Sequence, residues 1–284
     1  MTYRNMRVAV IPSGGNLLVS NFNLLATKVG VDFSTKNQVK RQLGADINAG
    51  DQLRFNGDMD CKINVDFLLQ TSNLNVYTFL FDRDHQTGQS PMKLLVGGNQ
   101  YNSCFIDNFN LTVRPFEPVM GSATFSSYDP SDLPLSGSNT ALDSLLNTED
   151  VVYGHNCLLS GAGNVVASDI INELNYTKTY SRTPIYTLGS QQATSQIVDG
   201  VEVDINVQST GLNQLIGFSG NKLSSDFGVG IQDVAGDVFG VGSNSAPLNF
   251  NLIVNSGAHV VAEDYSVDGG GTLVTKATIK EVIL

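Results

Sequence analysis

The sequence predicts a mainly β protein with two tandem, homologous antiparallel β-sandwich or barrel domains, each with at most a short helix. Three observations lead to this prediction. Apolar and polar residues alternate along several segments, which is typical of strands covered on one face. The 284 residues include 28 glycines and no tryptophan, and only 15% are charged, which favours short strands and turns. Finally, a series of landmarks occurs twice in the same order.

The clearest landmark is a Gly-Asn pair followed by an apolar run, at residues 15–21 and again at residues 163–169. Four further pairs keep the same order along the chain. They are Leu43-Gly44 with Leu188-Gly189, Ile63-Asn64-Val65 with Ile205-Asn206-Val207, Asp82 with Asp233, and residues 108–111 with residues 264–267. The spacing drifts slightly, as loop insertions produce after a duplication. The chain is therefore predicted to be a duplicated domain.

Individual elements follow from local patterns. A short apolar run at residues 8–11 predicts a first strand. Strict alternation predicts further strands, at residues 61–67, 109–113, 201–207 and 250–254. Helical signals are few: residues 138–147 have a capping residue and spaced leucines, and residues 35–43 and 212–218 could each hold one short helix.

A cluster of Pro, Asp, Ser and Gly at residues 129–137 is the clearest break in the pattern and predicts a linker. The domain boundaries that follow are residues 1–128 for the first β domain, 129–150 for a linker with a short helix, and 151–284 for the second β domain.

The charge balance excludes some classes of protein. The formal net charge is −11, and both halves are acidic. A protein that reads nucleic-acid sequence needs clustered Lys and Arg against the phosphates, so that class is disfavoured. No apolar stretch approaches the ~20 residues of a membrane-spanning helix, and the first apolar run is too short for a signal peptide. A soluble protein assembled in the cytoplasm, without membrane insertion, is expected, and the sequons at Asn110 and Asn175 are discounted.

Three segments resemble binding motifs but have simpler explanations. Asp82-Arg83-Asp84 begins like a calcium loop, but Thr87 stands where Gly is required and Lys93 where Glu is required. In the glycine-rich segment that starts at Gly228, the third glycine of a dinucleotide fingerprint would fall at Asp233. A hairpin turn explains the first segment, and two glycine-bearing strands that flank a turn explain the second. Gly161 and Gly163 are not followed by the Lys of a phosphate loop.

The histidines and cysteines show no ligand spacing. His85, His155 and His259 lack a metal-ligand partner at i+2 or i+4, and no G-x-S-x-G elbow supplies a nucleophile. The three cysteines form no C-x-x-C pair. The sequence therefore predicts no catalytic residue, no cofactor and no metal, and the chain is not expected to be an enzyme.

In this combination of duplication, acidity and Asn/Gly/Ser-rich β segments, the chain resembles the tail tube proteins of bacteriophages and their baseplate and hub relatives. In each half, an opening Gly-Asn strand precedes a long polar stretch (residues 31–57 and 174–200), and alternating strands follow. In that family the polar stretch carries an oligomerisation hairpin or loop. The likeness is one of architecture and composition and covers most of both halves.

The resemblance implies a small β-barrel or sandwich whose copies join edge to edge around a channel, with rings that stack into a tube. Most members carry one domain and form sixfold rings, so a two-domain chain would build the same ring from three copies. The implied partners are further copies of this chain, other tail proteins of the sheath, baseplate or neck, and DNA that passes through the lumen. The implied location is the virion tail.

The acidic balance fits a DNA conduit, because a basic wall would hold the phosphates of passing DNA; solubility alone is the simpler explanation. Alternatives from the same class are a baseplate, tail-hub or neck protein that adapts the end of the tube. A carbohydrate-binding β-sandwich is an alternative from another class, which the absence of Trp disfavours.

We expect no disulfide and no stoichiometric metal among Cys61, Cys104 and Cys157, because their number is odd and their spacing is not that of ligands. Intact mass should stay unchanged on reduction, and elemental analysis should find no zinc. A mass gain of two hydrogens on reduction, or one zinc per chain, would show the prediction to be wrong.

Overall fold

The computed structural model describes the strands and the turns next to them. The described residues are 8–11, 23–35, 38–41, 52–55, 59–70, 91–97, 99–134, 151–154, 157–160, 171–188, 193, 195–210, 227–231, 251–254, 258–267, 269 and 273–283. Within these ranges there is no α-helix, and most residues lie in strands. The predicted mainly β class is confirmed.

Fifteen strands are described. The first half contains β1 (Val8–Ile11), β2 (Asn23–Thr35), β3 (Gln38–Arg41), β4 (Gln52–Phe55), β5 (Met59–Leu68), β6 (Met92–Val96), β7 (Asn99–Val113) and β8 (Met120–Pro134). The second half contains β9 (Cys157–Ser160), β10 (Ile171–Ile185), β11 (Ser195–Thr210), β12 (Phe227–Ile231), β13 (Asn251–Val254), β14 (His259–Val267) and β15 (Leu273–Ile283).

Six strands of the first half close into an antiparallel barrel. Their order is β7-β6-β1-β2-β5-β8, and β8 pairs back onto β7 to complete the circle. Because the circle is closed, each of the six strands has a neighbouring strand on both sides for at least part of its length. The strands β3 and β4, which follow β2 and precede β5 in the sequence, form a separate two-stranded sheet.

Alternation along the strands fills the barrel. On β5, Ile63, Val65 and Phe67 point inward and are at most 1% exposed, while the lysine just before Ile63 and the asparagine just after it are exposed. The ring of Phe67 packs against that of Phe109 on β7, with centroids 5.9 Å apart. Burial of each such side chain contributes about 1.5–3 kcal/mol to folding, so this face of the strands fixes their register.

The second half extends the barrel sheet outward from β7. The order continues from β7 through β10, β11 and β15 to β14, which is the last strand. This is possible because β7 is long: its first residues pair with β6, and the segment from Asn108 to Val113 pairs with β10. The strands β9, β12 and β13 form a separate three-stranded sheet.

The same strand order appears in both halves. The order β2-β5-β8-β7 in the first half corresponds to β10-β11-β15-β14 in the second. The registers also correspond, as two sets of paired residues show. Ile63 pairs with Phe125 and Val65 with Ala123, and likewise Ile205 pairs with Ile279 and Val207 with Ala277.

Irregularities in the sheet fall at matching places. A register shift between Ala26 and Lys28 on β2 has its counterpart between Ile171 and Glu173 on β10. Another shift, between Ile106 and Asn108 on β7, has its counterpart between Val260 and Ala262 on β14. Since bulges are specific features of a strand pair, this agreement supports the predicted duplication. The duplicated Gly-Asn segments at residues 15–21 and 163–169 lie outside the described residues, so their superposition stays a prediction.

The structure corrects three details. Strand β8 runs to Pro134 and pairs there with Asn99, so residues 129–134 of the predicted linker are strand. The predicted helix at residues 35–43 is wrong, because Gln38–Arg41 pairs with β4. The shared registers make Asn110, two residues beyond Asn108, the counterpart of Asp264. The possible helices at residues 138–147 and 212–218 lie outside the described residues.

We expect Gly121→Ala to destabilise the barrel by about 1–3 kcal/mol, as overpacking of a core does. A Cβ on Gly121 would lie 2.5 Å from the ring of Phe67, which is 1% exposed and cannot move aside. The matched control is Gly30→Ala on β2, where a Cβ meets nothing within 4 Å. Urea unfolding measures both. Equal free energies of unfolding for the two variants would contradict the described packing.

Candidate assembly interface

The two halves of the chain meet along one strand pair. Residues Leu174 to Thr179 of β10 run antiparallel to residues Asn108 to Val113 of β7, in six consecutive pairs. We call this pairing the internal seam. It includes the first residues of the polar stretch 174–200, where the resemblance implies an oligomerisation hairpin or loop.

One face of the internal seam is a ladder of neutral polar side chains. Asn and Thr alternate with apolar residues on both strands, so that they oppose one another across the seam. Three side-chain hydrogen bonds cross it: Asn108 Nδ2 donates to Thr179 Oγ1 at 2.9 Å, Asn110 Nδ2 to Thr177 Oγ1 at 2.8 Å, and Thr112 Oγ1 to Asn175 Oδ1 at 2.7 Å. Such cross-strand pairs each contribute roughly 0.2–1 kcal/mol.

An ion pair continues the ladder at one end. Arg114 Nη2 donates to Glu173 Oε1 at 3.0 Å, and Asn175 Nδ2 donates to the same oxygen at 2.9 Å. These two hydrogen bonds, that of Arg114 first, lower the pKa of Glu173. Both charged side chains are partly exposed, so the pair adds little to stability.

The other face of the internal seam is buried. Its members are apolar apart from one lysine, and each is at most 8% exposed: Phe109, Leu111, Val113, Leu174, Tyr176 and Lys178. Lys178 lies with its ammonium 5.4 Å from the ring centre of Tyr180, which is a cation–π distance. The internal seam therefore has a polar outer face and a buried face that is part of the core.

Arg182 lies just beyond one end of the internal seam, beside the bulge on β7. Its Nε donates to the carbonyl oxygen of Ile106 at 3.1 Å, and its side chain is 2% exposed. The guanidinium lies 5.0 Å from the ring centre of Tyr180 and 5.6 Å from that of Phe105. A backbone carbonyl beside the bulge is thereby bound by a charged donor.

Asp107 lies at the same bulge, 3.9 Å from Arg182 Nε. Burial raises the pKa of this carboxyl, although a hydrogen bond from Ser126 and the charges of Arg182 and Lys62 act in the opposite direction. A cavity of about 340 Å³ opens beside these groups. Its walls carry two cations and one carboxyl group with hydroxyls, which suits water or a small polar molecule.

Apolar residues are exposed on two strands that have an unpaired edge among the described strands: β14, the last strand of the sheet, and β2, beyond its short pairing with β1. Tyr265 and Val267 on β14 are 53% and 66% exposed, and Phe33 on β2 is 51% exposed. The counterparts of Tyr265 and Val267 on β7 are Leu111 and Val113, which the internal seam buries. Among the described strands, β15 alone pairs with β14. These edges are the surfaces on which a further strand could add.

The residues singled out in the sequence are dispersed in the structure. Cys61 and Cys104 are buried in the core, and burial raises the pKa of the Cys157 thiol to about 12. His259 is exposed at the start of β14. The segments with Asp82, His85, His155 and Asp233 lie outside the described residues. Among the described residues, no group of three or more His, Cys, Asp and Glu is arranged to hold a metal.

No described helix is long and apolar enough to cross a membrane. No protein-family model matches the chain, and no curated protein matches it either.

Sequence reasoning did not identify Arg182 or the polar ladder. The signal for the ladder was present, since Asn-x-Asn-x-Thr at residues 108–112 and Asn-x-Thr-x-Thr at residues 175–179 each place polar residues on one face. It could not be interpreted from the sequence, because nothing there indicates that these two strands are neighbours.

We expect the stability of Asp107→Asn relative to wild type to increase as the pH rises. The folded-state pKa of Asp107 is raised, so the native state binds more protons than the unfolded state between the two pKa values. Wild-type stability therefore declines as the pH rises through this window, and the amide variant lacks that decline. Urea unfolding at several values between about pH 3 and pH 7 tests this. A constant difference across this range would contradict it.

Proposed function

We propose that this chain is a virion structural protein that assembles into the stacked rings of a bacteriophage tail tube, through which DNA passes. The observation that carries the proposal is the internal seam. It joins two corresponding sets of four strands, β2-β5-β8-β7 and β10-β11-β15-β14, through the edges of β7 and β10. The last strand of the second set, β14, ends in a row of exposed residues. A heterologous contact of this kind generates a closed ring when the rotation per copy allows it.

The edge of β14 supports the proposal on physical grounds. An exposed strand edge offers unpaired backbone groups to another chain, and proteins normally shield it with short strands, prolines or bulges. Here β14 is nine residues long and has no proline, and its register shift lies before Ala262, so the rest of the strand continues without a bulge. Addition of a strand from a second copy would satisfy its backbone groups and cover Val267.

The acid balance is compatible with a DNA channel. With a net charge of −11, the chain carries 27 acidic against 16 basic residues. Duplex DNA presents about one negative charge per 1.7 Å of axis. A wall of acids, amides and hydroxyls holds no phosphate tightly, so DNA can slide past it.

We expect the purified full-length chain to form rings or rods in negative-stain images, with masses that are multiples of the 30.4 kDa chain. Val267→Lys, on the outer edge of β14, should raise the concentration needed for assembly roughly tenfold, the equivalent of about 1.4 kcal/mol. Val282→Lys on β15 is the matched control, since Val282 is 58% exposed but β15 has neighbours on both sides.

Rings that do not stack into rods would favour a baseplate, hub or neck role over the body of the tube. A chain that stays monomeric at all concentrations and binds an oligosaccharide would replace the proposal with the carbohydrate-binding alternative. Loss of assembly in both valine variants would show that the edge of β14 has no special part in it.

A further inference from the structure

We propose that copies of this chain join through a second seam, in which β14 of one copy pairs with β2 of the next in the register of the internal seam. This inference rests on the proposed self-assembly and identifies the two surfaces that carry it. It also implies a chemical difference between the two seams: the internal seam is neutral at its centre, whereas the seam between copies brings two carboxylates together.

The matching registers identify β2 as the strand that corresponds to β10. Val29 pairs with Val65 on β5 as Leu174 pairs with Val207 on β11, and both strands have a bulge just before this position. Residues 29–34 of β2 therefore correspond to residues 174–179 of β10, which are the residues that pair with β7.

On the required side, the corresponding part of β2 has no strand neighbour among the described residues. The short strand β1 pairs only with Asn23 and Leu24, at the start of β2. Beyond Leu24, no described strand pairs with this edge, whereas β5 pairs with the other edge from Leu25 to Thr35. The portion without a described strand neighbour is thus the same portion that the internal seam uses on β10.

On β14, residues 262–267 correspond to residues 108–113 of β7 by the same reasoning. The register of the internal seam then places Val29 opposite Val267 and Val31 opposite Tyr265, where that seam has Leu174 opposite Val113 and Tyr176 opposite Leu111. Apolar residues that are half-exposed or more on β14 would meet partly buried valines at the rim of the core. Apolar cross-strand pairs of this kind stabilise a sheet.

On the polar face the same register places Asp32 opposite Asp264, where the internal seam has the neutral pair Thr177 and Asn110. Like charges directly opposite each other are destabilising. Each carboxylate also has a lysine as cross-strand neighbour within its own copy, Lys62 for Asp32 and Lys276 for Asp264. The row across the seam is therefore Lys-Asp-Asp-Lys, and the seam between copies is weaker than the internal one at this point.

Cysteine cross-linking tests the register. A chain with Gly30→Cys is mixed with a chain carrying Ser266→Cys, both in a Cys157→Ser background, and oxidised under assembly conditions. The two positions would be direct partners, close enough for a disulfide, and a Cβ on Gly30 meets nothing within 4 Å. The off-register control replaces the second chain with Ala262→Cys, on the same face of β14 but four residues away. We expect a dimer band at least tenfold stronger for the in-register mixture.

Charge removal tests the opposed carboxylates. Asp32→Asn and Asp264→Asn should each tighten assembly roughly twofold to fivefold, and the double variant should be no tighter than either single one, because one substitution already ends the repulsion. The matched control is Asp66→Asn on β5, which removes the same charge away from both edges and should leave assembly unchanged.

The outcomes separate this inference from the proposed function. Rings that form while both cysteine mixtures cross-link equally, or not at all, would overturn the register and leave the ring proposal standing. Additive gains from the two Asn variants would overturn the opposition of Asp32 and Asp264. A wild-type chain that never assembles would refute the proposed function, and the inference with it.

Discussion

The backbone pairing of β7 with β10 is the interaction on which the rest of the structure depends. It is possible because β7 is longer than its neighbour β6, so that the end of β7 reaches past the barrel and offers an edge. A barrel would otherwise close on itself and leave the second half without a support. The polar ladder on one face and the buried residues on the other fix the pairing, since a slip of one residue would exchange the two faces.

The features that the sequence predicted are those that depend on local pattern. Alternation identified β5 and β11, and the composition indicated an all-β chain. Neighbouring strands could not be identified, because pairing between β7 and β10 joins residues far apart in sequence. The extension of β8 to Pro134 was missed for a related reason: the Pro/Asp-rich segment reads as a linker, but pairing with the start of β7 keeps it in a strand. Arg182 was missed because its partners, Phe105 and Ile106, are far from it in sequence. They meet it only where β10 lies beside the bulge on β7.

The similarity of the two halves has a physical consequence for assembly. In a duplicated sheet, each edge strand of the internal seam has a counterpart in the other half. Here β7 and β10 pair inside the chain, and their counterparts β14 and β2 are left to pair between copies. The two seams need not be equally strong. Inside the chain, Asn and Thr form neutral hydrogen bonds and the junction is permanent; between copies, a seam with Asp32 opposite Asp264 would be weaker. Chains would then fold first as units and associate afterwards, which suits a ring built from whole subunits.

Hydrogen exchange read by mass spectrometry tests most directly the claim that the second seam repeats the first. Peptides that cover residues 29–34 and 262–267 are compared below and above the concentration at which rings form, with residues 174–179 as the internal reference. The account predicts that amides of both edges exchange quickly in the single chain and slow together on assembly, toward the rate of the reference. Assembly that protects other surfaces while both edges continue to exchange quickly would contradict it.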